Sequence, residues 1–464
     1  MKNNRRRSTR PARRAPSVLE RIQVDVAGID CGAAEHYVAV PPDRDPTPVQ
    51  SFRTFTADLE RLADWLLACR VTSVAMEATG VYWIPIYDIL EARGLEVLLV
   101  NARHVKHVPG RKSDVEDCEW LRELHSVGLL RGSFRPAGPI LALRALVRHR
   151  DVLVQTAGTY VQRMQKALVE MNLLLPRVVS DIVGKTGLTI LRALVAGERD
   201  PHVLAQHRDP HCKATPDEIA AALTGHYRSE HLFVLQQNLE LFDMCQTQLL
   251  ACDGAIDAEL QQLTAAVAPP TTPLPRPRIT RRRGNEPHVD IRPMLHHLTG
   301  VDLTQIDGLA PYSALKLIAE IGTDPTRWPT EHHFTAWLTL APQNRISGGR
   351  RLSSRTQPSA NRAAGVLRVA AMSLVRSQTA LGAFYRRLAV RIGKPKAITA
   401  TARKLAILVY RTLNGTLVYR DPGAYTYNAR QRARLVRRLR QRADTLGFTL
   451  LNRETGEVLG ATVS

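Results

Sequence analysis

The sequence predicts an α/β layer at its N-terminal end joined to all-α segments, and three observations carry that prediction. Short apolar stretches follow one another closely from Val24 to Phe55 and then alternate with helical stretches as far as Val100. From Leu143 onward apolar residues recur at steps of four and three, the period of a helix seam. Beyond a Pro-, Thr- and Arg-rich stretch at Pro269 to Pro293 the readable elements are again mainly helical.

In chain order, Val24 to Asp30 is a first strand, followed after Cys31-Gly32 by Tyr37 to Val40 and by a third around Phe52 to Phe55. Strands this closely spaced form a hairpin meander. Leu59 to Cys69 reads as a helix, Val71 to Met76 as a strand ending on Glu77, Ile84 to Ala92 as a helix and Val97 to Val100 as a strand. Three strands and then alternating helices and strands describe a layer fold of the ribonuclease H type. Leu143, Val147, Arg150, Val154, Ala157, Val161, Met164, Leu168, Met171 and Leu175 form a heptad seam on one long helix stopped by Pro176. A second seam runs through Leu232, Leu235, Leu239, Phe242, Leu249, Ile256, Leu260 and Leu263, interrupted at Gln246 and Asp253. Antiparallel pairing within the chain, dimerisation between chains, or an ordinary helical core would each bury these seams.

The stretch from Pro269 to Pro293, with Arg281-Arg282-Arg283-Gly284, reads as a linker able to touch nucleic acid. Ile306 to Gly322 is a turn and helix, and Asn361 to Arg387 and Ala397 to Leu413 are two longer helices. Arg430, Arg432, Arg434, Arg437, Arg438, Arg440 and Arg442 lie on a further basic helix, whose plain reading is a solvated surface. The chain thus divides into a basic disordered arm (1–22), an α/β domain (23–136), a helical coiled-coil region (137–268), a linker (269–293), a helical domain (294–420) and a basic helical tail (421–464).

The 464 residues carry 64 Lys and Arg against 43 Asp and Glu, a formal charge of +21. Self-repulsion on that scale calls for a polyanionic partner, and nucleic acid is the commonest one for arginine-rich surfaces. Ribosomal and membrane-surface roles stay open on charge alone. Cys31, Cys69, Cys118, Cys212, Cys245 and Cys252 are scattered without metal-ligand spacing, which reads as reduced thiols of a cytosolic protein without structural zinc. No apolar run approaches the roughly 18 residues that span a bilayer. The N-terminal stretch with Lys2, Arg5, Arg6, Arg7, Arg10, Arg13 and Arg14 lacks the apolar core of a secretion signal.

Four acids carry the candidate chemistry. Asp30 and Glu77 end separate strands and could converge at one sheet edge, while Asp114 and Asp117 stand three apart, on one face of a helix. Carboxylates converging from separate elements suit Mg²⁺, and two ions so held would activate an attacking oxygen and stabilise a leaving one in phosphoryl transfer. The competing reading is strand-end caps. Ser347 lies in Arg345-Ile346-Ser347-Gly348-Gly349-Arg350-Arg351, where two glycines let the backbone approach a phosphate and the arginines neutralise it. A serine so placed could attack phosphorus and store the bond as an ester. Alone, Ser-Gly-Gly is also an ordinary turn.

Arg345, Arg350, Arg351 and Arg355 are candidate phosphate contacts, with solvation as the alternative. Lys112 either contacts DNA or balances the neighbouring aspartates. Tyr82 and Trp83 are assigned to the core in preference to base stacking. Gly184-Lys185-Thr186 lacks a glycine at Val179 and a preceding strand, so it is not read as a phosphate loop. Ile306-Asp307-Gly308-Leu309-Ala310-Pro311, with alanine at the second glycine position of a phosphate-binding hairpin, is assigned to packing.

Gly28-Ile29-Asp30, Met76-Glu77-Ala78-Thr79-Gly80, Lys112-Ser113-Asp114-x-x-Asp117 and Ser347-Gly348-Gly349 occur in this order. Together they resemble the DEDD-type insertion-sequence transposases, the bridge-RNA-guided recombinases. The likeness extends from about Val24 to Tyr419 and includes Ser359-Ala360-Asn361-Arg362-Ala363-Ala364 and Lys394-Pro395-Lys396-Ala397-Ile398-Thr399-Ala400-Thr401-Ala402. It implies a RuvC-like N-terminal domain, a coiled-coil middle and a C-terminal transposase domain bearing the serine nucleophile. By the same resemblance Asp30, Glu77, Asp114 and Asp117 bind Mg²⁺, two ions with Mn²⁺ as a substitute, and Ser347 is the nucleophile. It further implies donor and target DNA as substrates, a structured guide RNA, and a dimer or tetramer in which acids of one protomer meet the serine of another. A cytoplasmic, nucleoid-associated protein is the expected setting.

Two departures stand out. Gln357-Pro358-Ser359-Ala360-Asn361 replaces the usual Lys-x-Gly-Asn after the serine loop, and the insert from about Leu175 to Thr280 is long. Three functions then compete: a recombinase that forms a serine–DNA ester, a RuvC-like nuclease in which water attacks, and a non-catalytic nucleic-acid binder. The first predicts a covalent adduct, the second cleavage without one, and the third indifference to loss of the acids with steep salt dependence.

Overall fold

The computed structural model describes residues 21–101, 113–136, 138–278, 284–456 and 458–459. The chain separates into two compact units, one ending at Arg135 and one beginning at Pro136.

The first unit is built on a five-stranded sheet of β1 (Val26–Cys31), β2 (Glu35–Ala39), β3 (Val49–Arg53), β4 (Ser73–Glu77) and β5 (Glu96–Val100), in the order β3-β2-β1-β4-β5. The β1–β2–β3 meander is antiparallel, whereas β1, β4 and β5 run parallel. The helices α1 (Thr56–Ala68) and α2 (Trp83–Ala92) make the long connections that parallel strands require. Strands and helices therefore follow the order expected from the sequence, with ends displaced by a few residues. On one face Ala27, Ile29, Val38 and Met76 bury against Leu59, Leu62 and Leu66 of α1 and Ile86 and Leu90 of α2.

The opposite face is covered by α3 (Asp114–Ser126) through Ala75, Val100 and Leu121. Gly28 explains how closely this helix sits. A Cβ there would lie 2.3 Å from the Cys118 carbonyl oxygen and 2.4 Å from the Arg122 nitrogen. The last turn of α3 is pinned near the strand starts, where His125 Nε2 and Ser73 Oγ are 2.8 Å apart and the Ile22 N–H donates to the Ser126 carbonyl at 2.8 Å. Since α3 runs against β1 and β4, its first turn lies toward their C-terminal ends. Ser113 caps that turn by accepting the Glu116 N–H.

In the second unit α4 (Gly138–Glu170) and α9 (Ser229–Ala265) pack antiparallel, bringing both heptad seams together within one chain. Two of the polar seam residues are partners: Arg150 and Asp253 form an ion pair only 2% and 1% exposed. The first helix ends at Glu170, earlier than its seam suggested, because Asn172 turns the chain with φ +55°. Pro176 instead opens a short separate helix, α5 (Leu175–Val178). It and α6 (Lys185–Val195), α7 (Pro201–Ala205) and α8 (Pro216–Leu223) fill out a core around Leu168, Met171, Ile190, Leu191, Ile219 and Leu239. Lys185 of the rejected phosphate-loop motif pairs with Asp209, and Thr186 Oγ1 accepts the Asp209 N–H at 3.0 Å.

The expected linker is tied down where it is described. Arg150 donates to the Asn285 carbonyl at 3.0 Å, the His288 N–H to Asp253 at 2.8 Å, and Arg278 pairs with buried Asp307. This segment straps the helix pair to the turn that holds Asp307. Residues 279–283, with Arg281, Arg282 and Arg283, lie outside the described residues, as do residues 1–20 of the basic arm.

After α10 (Arg292–Thr299), α11 (Pro311–Ile321) lies against α4, where Arg144 and Arg148 both bond Glu320. Ile306, Leu309 and Ala310 are buried, as the packing assignment expected. Next come α12 (Glu331–Trp337), a hairpin of β6 (Arg345–Ser347) and β7 (Arg350–Ser353), and α13 (Arg362–Ser373), α14 (Ala380–Ile392) and α15 (Lys394–Leu413). The single helix expected from Asn361 to Arg387 is two helices. Thr379 starts the second by accepting the Gly382 N–H at 3.1 Å, and Asp421 accepts the Ala380 N–H at 3.0 Å. The arginine-rich α16 (Gly423–Thr445) and a short pair, β8 (Leu450–Leu451) and β9 (Val458–Leu459), complete the chain. No helix among the described residues is long and apolar enough to cross a membrane.

Candidate active site

Asp30 and Glu77 are neighbours by register. Ile29 lies opposite Met76 in the parallel β1–β4 ladder, so the next residue of each strand is Asp30 and Glu77. Alternation puts Asp30 on the face of Gly28 and Glu77 on the face of Ala75, which is the face covered by α3. The first turn of α3, carrying Asp114 and Asp117, lies toward this same strand end. The four acids thus belong to one end of one sheet face.

Neighbouring groups register the converging charge. The Cys118 thiol is pushed up to about 12, by burial first and then by the charges of Glu119 and Asp30. Burial raises the Cys31 thiol further, with help from Asp30 and Glu77. Tyr37, paired with Asp30 across β1 and β2, is raised chiefly by Glu35, then by burial and by Asp114. The partial positive charge at a helix N-terminus offsets some of the repulsion among acids in that turn. Oxygen-only donors from three elements have the hard chemistry that Mg²⁺ takes. As they stand, no three His, Cys, Asp or Glu among the described residues close around a single point as a metal cage would.

Two contributors escaped the reading of the sequence. Thr79 Oγ1 donates to Glu77 Oε1 at 2.8 Å and fixes that carboxylate's rotamer, a role signalled only by a hydroxyl two residues after a strand-end acid. Gly28 lets α3 close over β1, a packing role that the reading of Gly28-Ile29-Asp30 did not assign to it. Lys112 lies outside the described residues. Trp83 packs partly into the core with Tyr87 edge-on and the Arg135 guanidinium 5.7 Å from its ring centroid, while Tyr82, expected in the core, is 44% exposed. Tyr82 immediately precedes the first turn of α2.

Ser347 belongs to the second unit, at the tip of an exposed ribbon. Gly348 and Gly349 have φ of 53° and 75°, the pair of left-handed residues that a two-residue type I′ hairpin requires. Ser347 pairs with Arg350, so both side chains share a face, whereas Arg351 pairs with Ile346 on the other. The register shifts between Arg345 and Ile346, and the Arg355 carbonyl accepts the Gln343 N–H at 3.0 Å to close the base. Ser347, Arg345, Arg350, Arg351 and Arg355 are all solvent-exposed. The ribbon presents a hydroxyl beside a guanidinium on an open surface.

Known proteins give the frame for both halves. Residues 27–173 match the DEDD-type IS110 transposase model, and residues 302–386 match the model described as transposase of the IS116/IS110/IS902 family. No curated protein matches the chain. The first match contains all four acids and the second contains the serine hairpin with its arginines. The chain belongs to the IS110 family of DEDD-type insertion-sequence transposases.

Proposed function

We propose that this transposase cuts and rejoins DNA through a serine ester, with the acids of the sheet and the serine of the ribbon as the two halves of one chemical site. The observation that supports it most directly is the alignment of Asp30 beside Glu77 under the first turn of α3, with Ser347 and Arg350 side by side on a ribbon face elsewhere in the same chain. In this reading Asp30, Glu77, Asp114 and Asp117 hold divalent ions, Mg²⁺ by their donor chemistry, which when bound neutralise charge on the phosphate oxygens. Arg350 adds a guanidinium to the same phosphate. The Ser347 oxygen loses its proton and bonds to phosphorus, and the bond from phosphorus to the leaving deoxyribose oxygen breaks as that oxygen takes a proton. Attack by a hydroxyl of a second strand reverses the exchange and frees the serine. One ester replaces another at each step, so rejoining needs no external energy source.

Two further parts of the proposal come from the family resemblance: acids of one protomer serve the serine of another in a dimer or tetramer, and a structured RNA from the element's flank selects the DNA. The test incubates purified protein, Mg²⁺, that RNA and end-labelled target DNA, then separates the products under denaturing conditions. A protein–DNA adduct that vanishes in Ser347→Ala is the expected result. Cleaved DNA with no adduct would replace serine by water as the nucleophile, and equal adduct without RNA would remove the guide.

A further inference from the structure

The helix α16 has no core of its own. Across Gly423–Thr445 only Ala424 is buried. Its root is anchored: the Ala424 N–H donates to the Gln378 carbonyl at 2.9 Å, and Tyr427 meets Phe384 edge-on and accepts a bond from Arg387 at 3.1 Å. Beyond Tyr427 no side chain of the helix is buried, and most are exposed. A helix of this length extends about 34 Å from end to end.

Its charge is organised. Arg430, Arg434, Arg438 and Arg442 follow at steps of four, with Arg437 beside the row, and Leu435 and Leu439 lie round the helix from its start. From Gly423 to Ala443 the chain has no acid, so the helix bears like charges at the spacing where they repel. Arginines repeating at about 6 Å along one row suit a line of phosphates. Between Asn428 and Gly447 there is no aromatic side chain, so the row lacks the stacking platform by which proteins hold unpaired bases. The major groove of B-form DNA admits a helix, whereas that of A-form RNA is too deep and narrow.

We infer that α16 is a docking element for duplex DNA, lying along the phosphates through Arg430, Arg434, Arg437, Arg438 and Arg442 without reading sequence. Both family matches end before it, so this surface is additional to the matched transposase segments. The inference rests on duplex DNA being the substrate of this transposase and is independent of the serine chemistry.

The test measures equilibrium binding of the full chain to a short duplex of arbitrary sequence, without divalent ions, across a salt series. Two variants are compared with the unaltered chain: Arg430→Gln, Arg434→Gln, Arg437→Gln and Arg438→Gln combined, and the same four positions changed to lysine. Each lost phosphate contact lowers the slope of log affinity against log salt by about 0.9, so the glutamine variant should lose about 3 to 4 of that slope. The lysine variant should keep most of it. An unchanged slope in the glutamine variant overturns the proposal. So does an equal loss in the lysine variant, which would assign the effect to the fold. Because no cleavage is read, failure here leaves the Ser347 adduct experiment untouched.

Discussion

The acid end of the sheet and the serine ribbon are held in opposite ways. Around Asp30 and Glu77 the backbone is locked by packing, with Ile29 and Met76 fully buried and α3 lying against Gly28 without room for a methyl group. Around Ser347 every residue from Pro342 to Leu352 is exposed, and a Cβ on Gly348 or Gly349 would meet nothing within 4 Å. The ribbon owes its shape to two left-handed residues and a few ladder bonds. A group buried beneath a helix is aimed by its own fold, whereas a hydroxyl on an open ribbon, beside exposed Ile346 and Leu352, is aimed by whatever closes over it.

The strongest way to break this contrast is to remove one proposed site residue from each half. Asp30→Asn and Ser347→Ala should each lower strand cleavage on the order of a thousandfold or more. Their stabilities should diverge. Ser347→Ala, on an exposed turn, should leave the melting temperature unchanged. Asp30→Asn should lose the rise in melting temperature that Mg²⁺ gives the unaltered chain, because one proposed metal carboxylate is gone. An unchanged Mg²⁺ response in Asp30→Asn would show that this acid is a structural cap.

Next in size is the ion pair at the packed extreme of the second unit. Asp253→Ala strands a guanidinium beneath Tyr312, whose ring centroid lies 4.5 Å from it, and also deprives the His288 N–H of its acceptor. Loss of one partner from a buried pair costs about 3 to 5 kcal/mol, readable by chemical denaturation. Loss of less than about 1 kcal/mol would mean the pair is open to water.

The glycines sharpen the contrast directly. Gly28→Ala drives a methyl group into the α3 backbone and should cost about 1 to 3 kcal/mol by overpacking. Gly348→Asn has room and a side chain tolerant of left-handed backbone, so it should be nearly neutral, whereas Gly28→Asn should be worse than alanine. Thermal melts of the three variants decide it, and equal losses at both positions would erase the distinction between packing and turn.

That distinction also explains what was legible in the sequence. The strands could be read because apolar runs bounded by turns have one good interpretation, and the places of Asp30 and Glu77 because strand ends deliver side chains to a sheet edge. Adjacent register followed only from the ladder that pairs Ile29 with Met76. The antiparallel helix pair was one of several open choices, since the seam marks a buried face without naming its partner. Arg150 was counted in one seam and Asp253 as an interruption of the other, because nothing local joins residues 103 apart. The strap read as a linker for the same reason: its composition is irregular, and its order comes from distant groups such as Asp307 and Asp253. The break between α13 and α14 was missed because the cap at Thr379 sits inside an otherwise continuous apolar pattern.

The smallest predicted effect is a pH dependence confined to the sheet unit. His36 and His125 are 1% and 5% exposed, and burial holds both below the ordinary histidine value of 6.5. His36 Nδ1 has no hydrogen-bond partner among the described residues, whereas His125 Nε2 shares a bond with Ser73. The folded unit therefore keeps both rings neutral at a pH where the unfolded chain has begun to protonate them. Between the depressed folded values and 6.5 the unfolded state binds more protons, so stability is full above this window and falls as pH drops through it. Amide exchange in β1 and β4 should accelerate as pH falls from about 7.5 to about 5.5, after correction for intrinsic exchange rates. His36→Leu with His125→Gln should flatten that response while leaving α4 and α9 unaffected. An identical pH response in the double variant would assign it to the acids instead.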